Sequence, residues 1–69
     1  MNVVLYTQEF CPQCEGIKRL LKQKGISYME NRDVDEMAAK GITHTPMMEV
    51  DGEMMSATNA INWINSYGN

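Results

Sequence analysis

Cysteine is scarce in this sequence of 69 residues, which contains only two and places both in the run Cys11-Pro12-Gln13-Cys14. No cysteine remains for a separate structural disulfide, and a bridge within this run would close too short a loop to stabilise the fold. A chain this short is expected to form one domain, residues 1–69, that buries about 60% of its unfolded surface. Its stability must therefore come from packing.

Long apolar runs, basic patches and glycine-rich nucleotide motifs are also missing. Without an apolar run of about 18 residues, we expect no transmembrane helix. The formal net charge of −3 argues against a nucleic acid or a membrane surface as partner. No motif of the kind that binds nicotinamide dinucleotides is present, so direct use of such a cofactor is not expected. The start at Met1 has neither a basic segment nor a cleavage site, and we predict a cytoplasmic, monomeric protein.

The two cysteines follow an apolar, β-favouring run, Val3 to Thr7, that predicts a strand covered on both faces. Because proline is favoured in the first turn of a helix, a helix should begin at Cys11 or Pro12. The unpaired N–H groups and the dipole of that helix should lower the pKa of the Cys11 thiol, and the thiolate is the species that attacks disulfides. Cys14, one turn further inward, would then be the resolving thiol that attacks the sulfur of Cys11.

The remainder of the chain predicts a second strand, a short helix, a hairpin and a final helix. Their boundaries rest on glycines that end helices, on capping Asp or Ser residues, and on an Asp-Gly turn. The predicted strands are Ile26 to Glu30, with Ile26, Tyr28 and Met29 as its apolar residues, and the hairpin strands Met47 to Val50 and Glu53 to Met55. The predicted helices run from Asp33 or Asp35 to Lys40 and from Ser56 or Thr58 to Gly68. The predicted order is β-α-β-α-β-β-α, with the first two strands parallel.

With Cys-Pro-x-Cys after the first strand and Thr45-Pro46 before the hairpin, this order resembles the thioredoxin fold in its minimal, glutaredoxin-like form. The resemblance extends over essentially the whole chain. It implies an α/β fold in which a four-stranded mixed sheet is flanked by three helices, the first and third on one face and the second on the other. It also implies a cis peptide bond before Pro46, beside the dithiol, where a substrate strand could pair with the backbone of Thr45.

Glutaredoxins form one branch of this family. They hold glutathione with a lysine three residues before the first cysteine and with a Gly-Gly-x-Asp run that opens the last helix. In this chain the lysine position is Gln8, and the run falls on Ser56-Ala57-Thr58-Asn59. The charged contacts to glutathione are therefore absent or weakened, although N–H groups at Thr58 and Asn59 could still receive a carboxylate.

The redoxins that serve ribonucleotide reductase and draw electrons from thioredoxin reductase form the second branch. They often carry Cys-x-Gln-Cys, which Gln13 matches. Of the Trp-Ser-Gly-Phe run that usually precedes their last helix, only Ser56 agrees. The resemblance thus implies a glutaredoxin-like protein whose mechanism we place, by a small margin, in this second branch.

The residues around the dithiol are candidates for substrate binding. Phe10 is a large apolar group beside a reactive thiol and would help to dock protein partners. Pro12 and Gln13 would influence the redox potential and the surface that partners meet. Tyr6 could line the groove that receives the substrate or could pack in the core, and the sequence leaves both possibilities open. The predicted set is completed by Thr45, Pro46, Thr58 and Asn59.

The predicted function is that of a small thiol-disulfide oxidoreductase that relays electrons to a disulfide-containing protein. The Cys11–Cys14 pair is the redox centre, and no bound cofactor is expected. The electron donor is either glutathione or thioredoxin reductase, and ribonucleotide reductase is a candidate acceptor.

A soft-metal carrier of the ferredoxin-like class is the alternative, because two thiolates suit soft metals and such domains also place Cys-x-x-Cys between a strand and a helix. These carriers typically have a methionine two residues before the first cysteine, where this chain has Glu9, and they end in a strand. An iron–sulfur cluster shared across a dimer with glutathione is a third alternative, for which two cysteines alone supply too few ligands. We therefore expect no metal site.

Overall fold

The structure, a computed structural model, describes residues 1–68; Asn69, the last residue of the predicted domain, lies outside the described residues. The elements follow the predicted order β-α-β-α-β-β-α. Their bounds are β1 Val3–Tyr6, α1 Pro12–Gln23, β2 Met29–Asn31, α2 Val34–Ala39, β3 Met47–Val50, β4 Glu53–Ser56 and α3 Ala57–Ser66.

Within residues 1–68, four strands form one mixed sheet in the order β2-β1-β3-β4. Strand β1 runs parallel to β2 and antiparallel to β3, and β4 runs antiparallel to β3. The uninterrupted apolar sequence of β1 suits its central place, where both faces are covered. Because Tyr6 pairs with Met47, the loop that leaves β1 and the loop that enters β3 meet at one end of the sheet. That end carries the dithiol and the Thr45-Pro46 turn.

Helices α1 and α3 cover one face of the sheet, and α2 covers the other. Leu5 and Met48 pair directly across β1 and β3 and belong to the core on the first face. Tyr6 points the opposite way and is only 2% exposed. Its hydroxyl donates to Glu49 at 2.8 Å, and the Lys40 ammonium at the end of α2 lies 6.0 Å from its ring centroid. Tyr6 is therefore a packing residue beneath α2. The core on the first face comprises Val3, Leu5, Ile17, Leu21, Ile26, Met48, Ala60 and Ile64.

Short side chains begin the helices close to where the sequence predicts. Cys11 caps α1, Asp33 rather than Asp35 caps α2, and Ser56 rather than Thr58 caps α3. The Asp33 carboxylate, for example, accepts the N–H three residues further on at 3.1 Å. Each cap satisfies a backbone N–H that has no partner within its helix.

The predicted bounds of β2 are wrong, since the strand spans Met29–Asn31. Gly25 takes a left-handed φ of 67° after α1, and the N–H of Ile26 returns to the carbonyl of Leu21 at 2.9 Å. In this helix-ending motif the residue after the glycine packs back on the helix, and Ile26 accordingly belongs to the core. Its apolar character thus serves the end of α1. Met29, expected to add apolar surface, is 72% exposed.

Candidate functional site

The dithiol lies at the start of α1. Cys11 occupies the N-cap position with an extended backbone, and Pro12 is the first helical residue. The sulfur of Cys11 accepts the N–H of Cys14 at 3.2 Å, in the place that a side-chain oxygen takes in an ordinary N-cap. A thiolate at this position would face the positive end of the helix dipole, as the sequence predicts.

The two sulfurs are bonded to each other but are not equally accessible. The Cα atoms of Cys11 and Cys14 lie 5.2 Å apart, and the side chains form a disulfide. Cys14 is fully buried, at 0% exposure, whereas Cys11 is only half-buried. An incoming sulfur therefore reaches Cys11 before it can reach Cys14. This asymmetry is what a nucleophile with a sheltered resolving partner requires.

Phe10, directly before the dithiol, is held out in solvent in a strained conformation. Its side chain is 98% exposed, and its φ of 56° lies in the left-handed region. That region costs a residue with a Cβ atom roughly 1–2 kcal/mol, and Phe10 recovers almost nothing of this by burial. Residues in such conformations are concentrated at active sites, and Phe10 directly precedes the disulfide-bonded Cys11. The sequence singles out Phe10 but carries no signal for its backbone conformation.

The loop before β3 lies against the loop before α1. The Thr45-Pro46 peptide bond is cis, as the resemblance implies, and Pro46 is buried. The hydroxyl of Thr45 donates to the side-chain carbonyl of Gln8 at 3.3 Å. The position that resembles a glutathione-binding lysine is thus occupied by an uncharged side chain that holds the two loops together.

The start of α3 carries the other two predicted binding residues. Thr58 and Asn59 are exposed in its first turn. The N–H of Asn59 is already partnered, because the Ser56 hydroxyl accepts it at 3.5 Å. A ligand carboxylate at this terminus would therefore have to share the first turn with the Ser56 cap.

An open cleft of about 720 Å³ lies beside the accessible sulfur. Of the predicted binding residues, Phe10 and Pro12 line this cleft. Gln13 instead lines a smaller apolar groove of about 200 Å³ between α1 and α3. The charged side chains that line the larger cleft are Glu9, Glu15, Lys18 and Arg32.

A network of charged hydrogen bonds, absent from the predicted site, centres on Glu30. One of its carboxylate oxygens accepts from the buried Thr7 hydroxyl at 2.7 Å and from Lys18 Nζ at 2.7 Å, and it lies 3.3 Å from Arg32 Nε. Lys18 Nζ also lies 2.7 Å from Glu15. The hydrogen bonds from Lys18 and then Thr7 hold the pKa of Glu30 below its usual value, and those to Glu15 and then Glu30 raise the pKa of Lys18.

The spacing between Cys14 and Lys18 is the one feature of the sequence that places a member of this network near the dithiol. Lys18 lies four residues after Cys14 and therefore one helical turn along the same face of α1. The spacing alone does not identify the carboxylates that Lys18 contacts. The partner Glu30 could not be found in this way, because its position depends on the register between β1 and β2, in which Leu5 lies opposite Glu30.

Within residues 1–68, no group of three or more His, Cys, Asp or Glu side chains is arranged to hold a metal ion. The last described element is the helix α3, whereas a ferredoxin-like metal carrier ends in a strand. The fold is therefore not that of the alternative carrier. In the part of the chain that the structure describes, no helix is long and apolar enough to span a membrane.

Comparison with known proteins agrees with this geometry. The glutaredoxin family model matches residues 3–58. Glutaredoxin 3 of Escherichia coli (strain K12) is 38% identical over 60 residues, which cover 75% of this chain and 71% of that protein. The crystal structure of the thioredoxin-like protein BC3987 superposes with a TM-score of 0.71 at 25% identity, covering 91% of this chain and 99% of that one.

A more distant likeness concerns the fold alone. The glutathione S-transferase from Ascaris lumbricoides matches with a TM-score of 0.74 at 23% identity, over 93% of this chain but only 34% of that chain. The match of the family model over most of this sequence carries the assignment, and the redox-active cysteine pair at the start of α1 fits it. The chain belongs to the glutaredoxin family and is a thiol-disulfide oxidoreductase of thioredoxin fold.

Proposed function

We propose that this protein reduces disulfide bonds in other proteins, with Cys11 as the nucleophile and Cys14 as the resolving thiol. The observation that carries this assignment is the difference in access, since Cys14 is fully buried and Cys11 is not. A substrate sulfur can approach Cys11 along the open cleft without displacing any helix.

The proposed reaction has two exchange steps. The Cys11 thiolate attacks one substrate sulfur, the substrate S–S bond breaks, and the other substrate sulfur leaves and takes a proton from water. Cys14 then loses its proton and attacks the sulfur of Cys11. The mixed disulfide breaks, the second substrate thiol leaves, and the Cys11–Cys14 disulfide remains. Two electrons have passed from the dithiol to the substrate.

The surface around Cys11 supports docking of a protein rather than of a small thiol alone. Phe10 offers a whole exposed aromatic ring next to the sulfur, and Pro12 extends the same cleft wall. The half-buried Thr45, before the buried Pro46, presents backbone groups with which an extended substrate segment could pair. Gln13, exposed in the first turn of α1, completes the proposed docking surface.

We further propose that a flavoprotein reductase of the thioredoxin reductase type is the principal electron donor, with glutathione as the slower donor. The family's lysine is replaced by Gln8, whose carbonyl accepts from Thr45, so one charged contact to a glutathione carboxylate is missing. Thr58 and Asn59 at the start of α3 are the remaining proposed contacts for that carboxylate. Ribonucleotide reductase is the proposed acceptor, on the match of Gln13 to the redoxins that serve it. The cytoplasm is the proposed location and a monomer the proposed state.

A coupled assay of NADPH oxidation tests these points in two arms. One arm contains thioredoxin reductase, the other contains glutathione with glutathione reductase, and both use a disulfide-bonded protein as acceptor. We expect turnover in both arms, faster in the first, and none in either arm with Cys11→Ser. Full activity of Cys11→Ser would refute the proposed nucleophile, and a faster glutathione arm would reverse the order of donors.

A further inference from the structure

The charges beside the dithiol are unevenly paired. In the cleft next to Cys11, Glu15 is held by Lys18, and Arg32 lies against Glu30. Among the charged side chains that line this cleft within residues 1–68, Glu9 alone makes no hydrogen bond or ion pair. Its carboxylate therefore presents a full negative charge to whatever enters.

The cations of the cleft do not offset this charge. The Lys18 ammonium lies 2.7 Å from carboxylate oxygens of both Glu15 and Glu30, and Arg32 adds a contact to the same Glu30 oxygen. The acids and bases that line the cleft are equal in number, but both cations are in contact with other carboxylates, so within the described residues Glu9 is the lining acid that has no ion-pair partner. The neighbouring Gln8 is uncharged, and Arg32, which lines the cleft together with Glu9, is in contact with Glu30 instead.

Glu9 also lies beside the two residues that we propose to meet the substrate first, since all three line the same cleft. It lies two residues before the nucleophilic Cys11, and it directly precedes Phe10, whose ring is 98% exposed. A peptide segment that lays an apolar residue on Phe10 while its disulfide meets Cys11 would occupy the cleft that Glu9 also lines. Electrostatic attraction or repulsion between Glu9 and a charged substrate residue therefore changes how readily the substrate associates with the enzyme.

We propose that Glu9 makes the enzyme selective for protein disulfides that are flanked by Lys or Arg, and against those flanked by Asp or Glu. This inference rests on the proposed function, because it concerns which disulfides reach Cys11. Two unit charges about 4 Å apart in water change an equilibrium or a rate by roughly fivefold. The preference should weaken as salt shortens the Debye length, which is about 10 Å at 0.1 M and about 3 Å at 1 M.

The test uses two disulfide-bonded peptides of identical sequence except that Lys or Glu residues flank one cysteine. Flanking charge also alters the peptide's own reactivity, so each rate is divided by the rate of reduction by 2-mercaptoethanol, a small uncharged thiol. Attraction of about fivefold for the Lys peptide and repulsion of about fivefold for the Glu peptide together give an expected ratio of about 25 in normalised kcat/KM at low salt. Glu9→Gln should bring this ratio close to one, and Glu9→Lys should invert it.

Glu53 supplies the matched control. It is exposed at the start of β4, where it pairs with Val50 at the end of the sheet away from the dithiol. Glu53→Gln and Glu53→Lys make the same changes in net charge and should leave the ratio as in the unmodified protein. Removing Glu9 could also alter the reactivity of Cys11, but this would change both peptide rates equally and leave the ratio untouched.

The possible results separate the two proposals. Failure to reduce either peptide overturns the proposed function, and the selectivity with it. Reduction of both peptides at equal normalised rates overturns the selectivity alone, as does a preference that survives Glu9→Gln. If Glu53→Gln abolishes the preference as fully as Glu9→Gln does, the preference arises from the net charge of the chain. That result would also overturn the role of Glu9.

Discussion

Replacing Phe10 with glycine should make this protein more stable and at the same time a poorer reductant of other proteins. Phe10 has a φ of 56°, which glycine adopts freely and a residue with a Cβ atom does not. Its ring is 98% exposed, so the substitution removes almost no packing from the folded state. The same ring is the aromatic group nearest to the dithiol in the cleft that we assign to substrate docking.

The expected gain in stability follows from two opposing terms. Relief of the left-handed conformation is worth roughly 1–2 kcal/mol. Glycine gives back about 0.5–1 kcal/mol because it makes the unfolded chain more flexible. The free energy of unfolding should therefore rise by about 0.75 kcal/mol, the centre of a range from roughly 0 to 1.5 kcal/mol. For a domain of this size, the central value corresponds to an increase in Tm of about 3–6 °C.

Urea denaturation and kinetic assays of the two variants Phe10→Gly and Phe10→Ala test this reasoning. Alanine removes the ring but keeps the Cβ atom, so its stability should stay close to that of the unmodified protein. Both variants should lose about fivefold in kcat/KM for a disulfide-bonded protein, as expected when about 1 kcal/mol of contact energy is lost. Their rates with a small disulfide should be unchanged. A less stable Phe10→Gly variant, or full activity of both variants on proteins, would refute the argument.

Three further predictions concern the charge network, the core and the donor. Because the pKa of Glu30 is lower in the folded than in the unfolded chain, its stabilising effect is complete above the unfolded pKa and is lost as the pH falls through the folded one. Urea denaturation across the acid range should accordingly show a shallower loss of stability for Glu30→Gln, and an unchanged slope would contradict the network. Ile64→Ala should lower the free energy of unfolding by about 2–5 kcal/mol because Ile64 is 0% exposed. The control Ile61→Ala should lower it by less than about 1 kcal/mol because Ile61 is 37% exposed. Gln8→Lys should raise the rate of the glutathione-coupled arm by up to about fivefold without accelerating the reductase arm. An unchanged rate in the glutathione arm, or the same acceleration in both arms, would count against a missing cation at Gln8.

The order of elements was predictable because local chemistry and tertiary structure agree along most of the chain. Asp51-Gly52 marks the hairpin, Ser56 caps α3, and Pro12 opens α1, each through contacts within a few residues. The cis bond before Pro46 was not predictable from these local rules and entered only through the family resemblance.

The sequence-based predictions are wrong or incomplete where an apolar or charged residue makes a contact that the sequence alone does not identify. Ile26 resembled the start of a strand because its role in ending α1 depends on the conformation of Gly25. Glu30 was not among the predicted site residues because its partners Thr7 and Lys18 come from two other segments. The strain at Phe10 is a property of the folded loop, and no sequence pattern predicts it.

Mapping of a trapped mixed disulfide tests the central claim most directly. The reduced Cys14→Ser variant is incubated with a disulfide-bonded protein, and the covalent complex is digested and analysed by mass spectrometry. The half-buried position of Cys11 and the full burial of Cys14 predict that the substrate is attached at Cys11. They also predict that the Cys11→Ser variant forms no complex. A complex of comparable yield through Cys14 in the Cys11→Ser variant would contradict the division of roles between the two sulfurs.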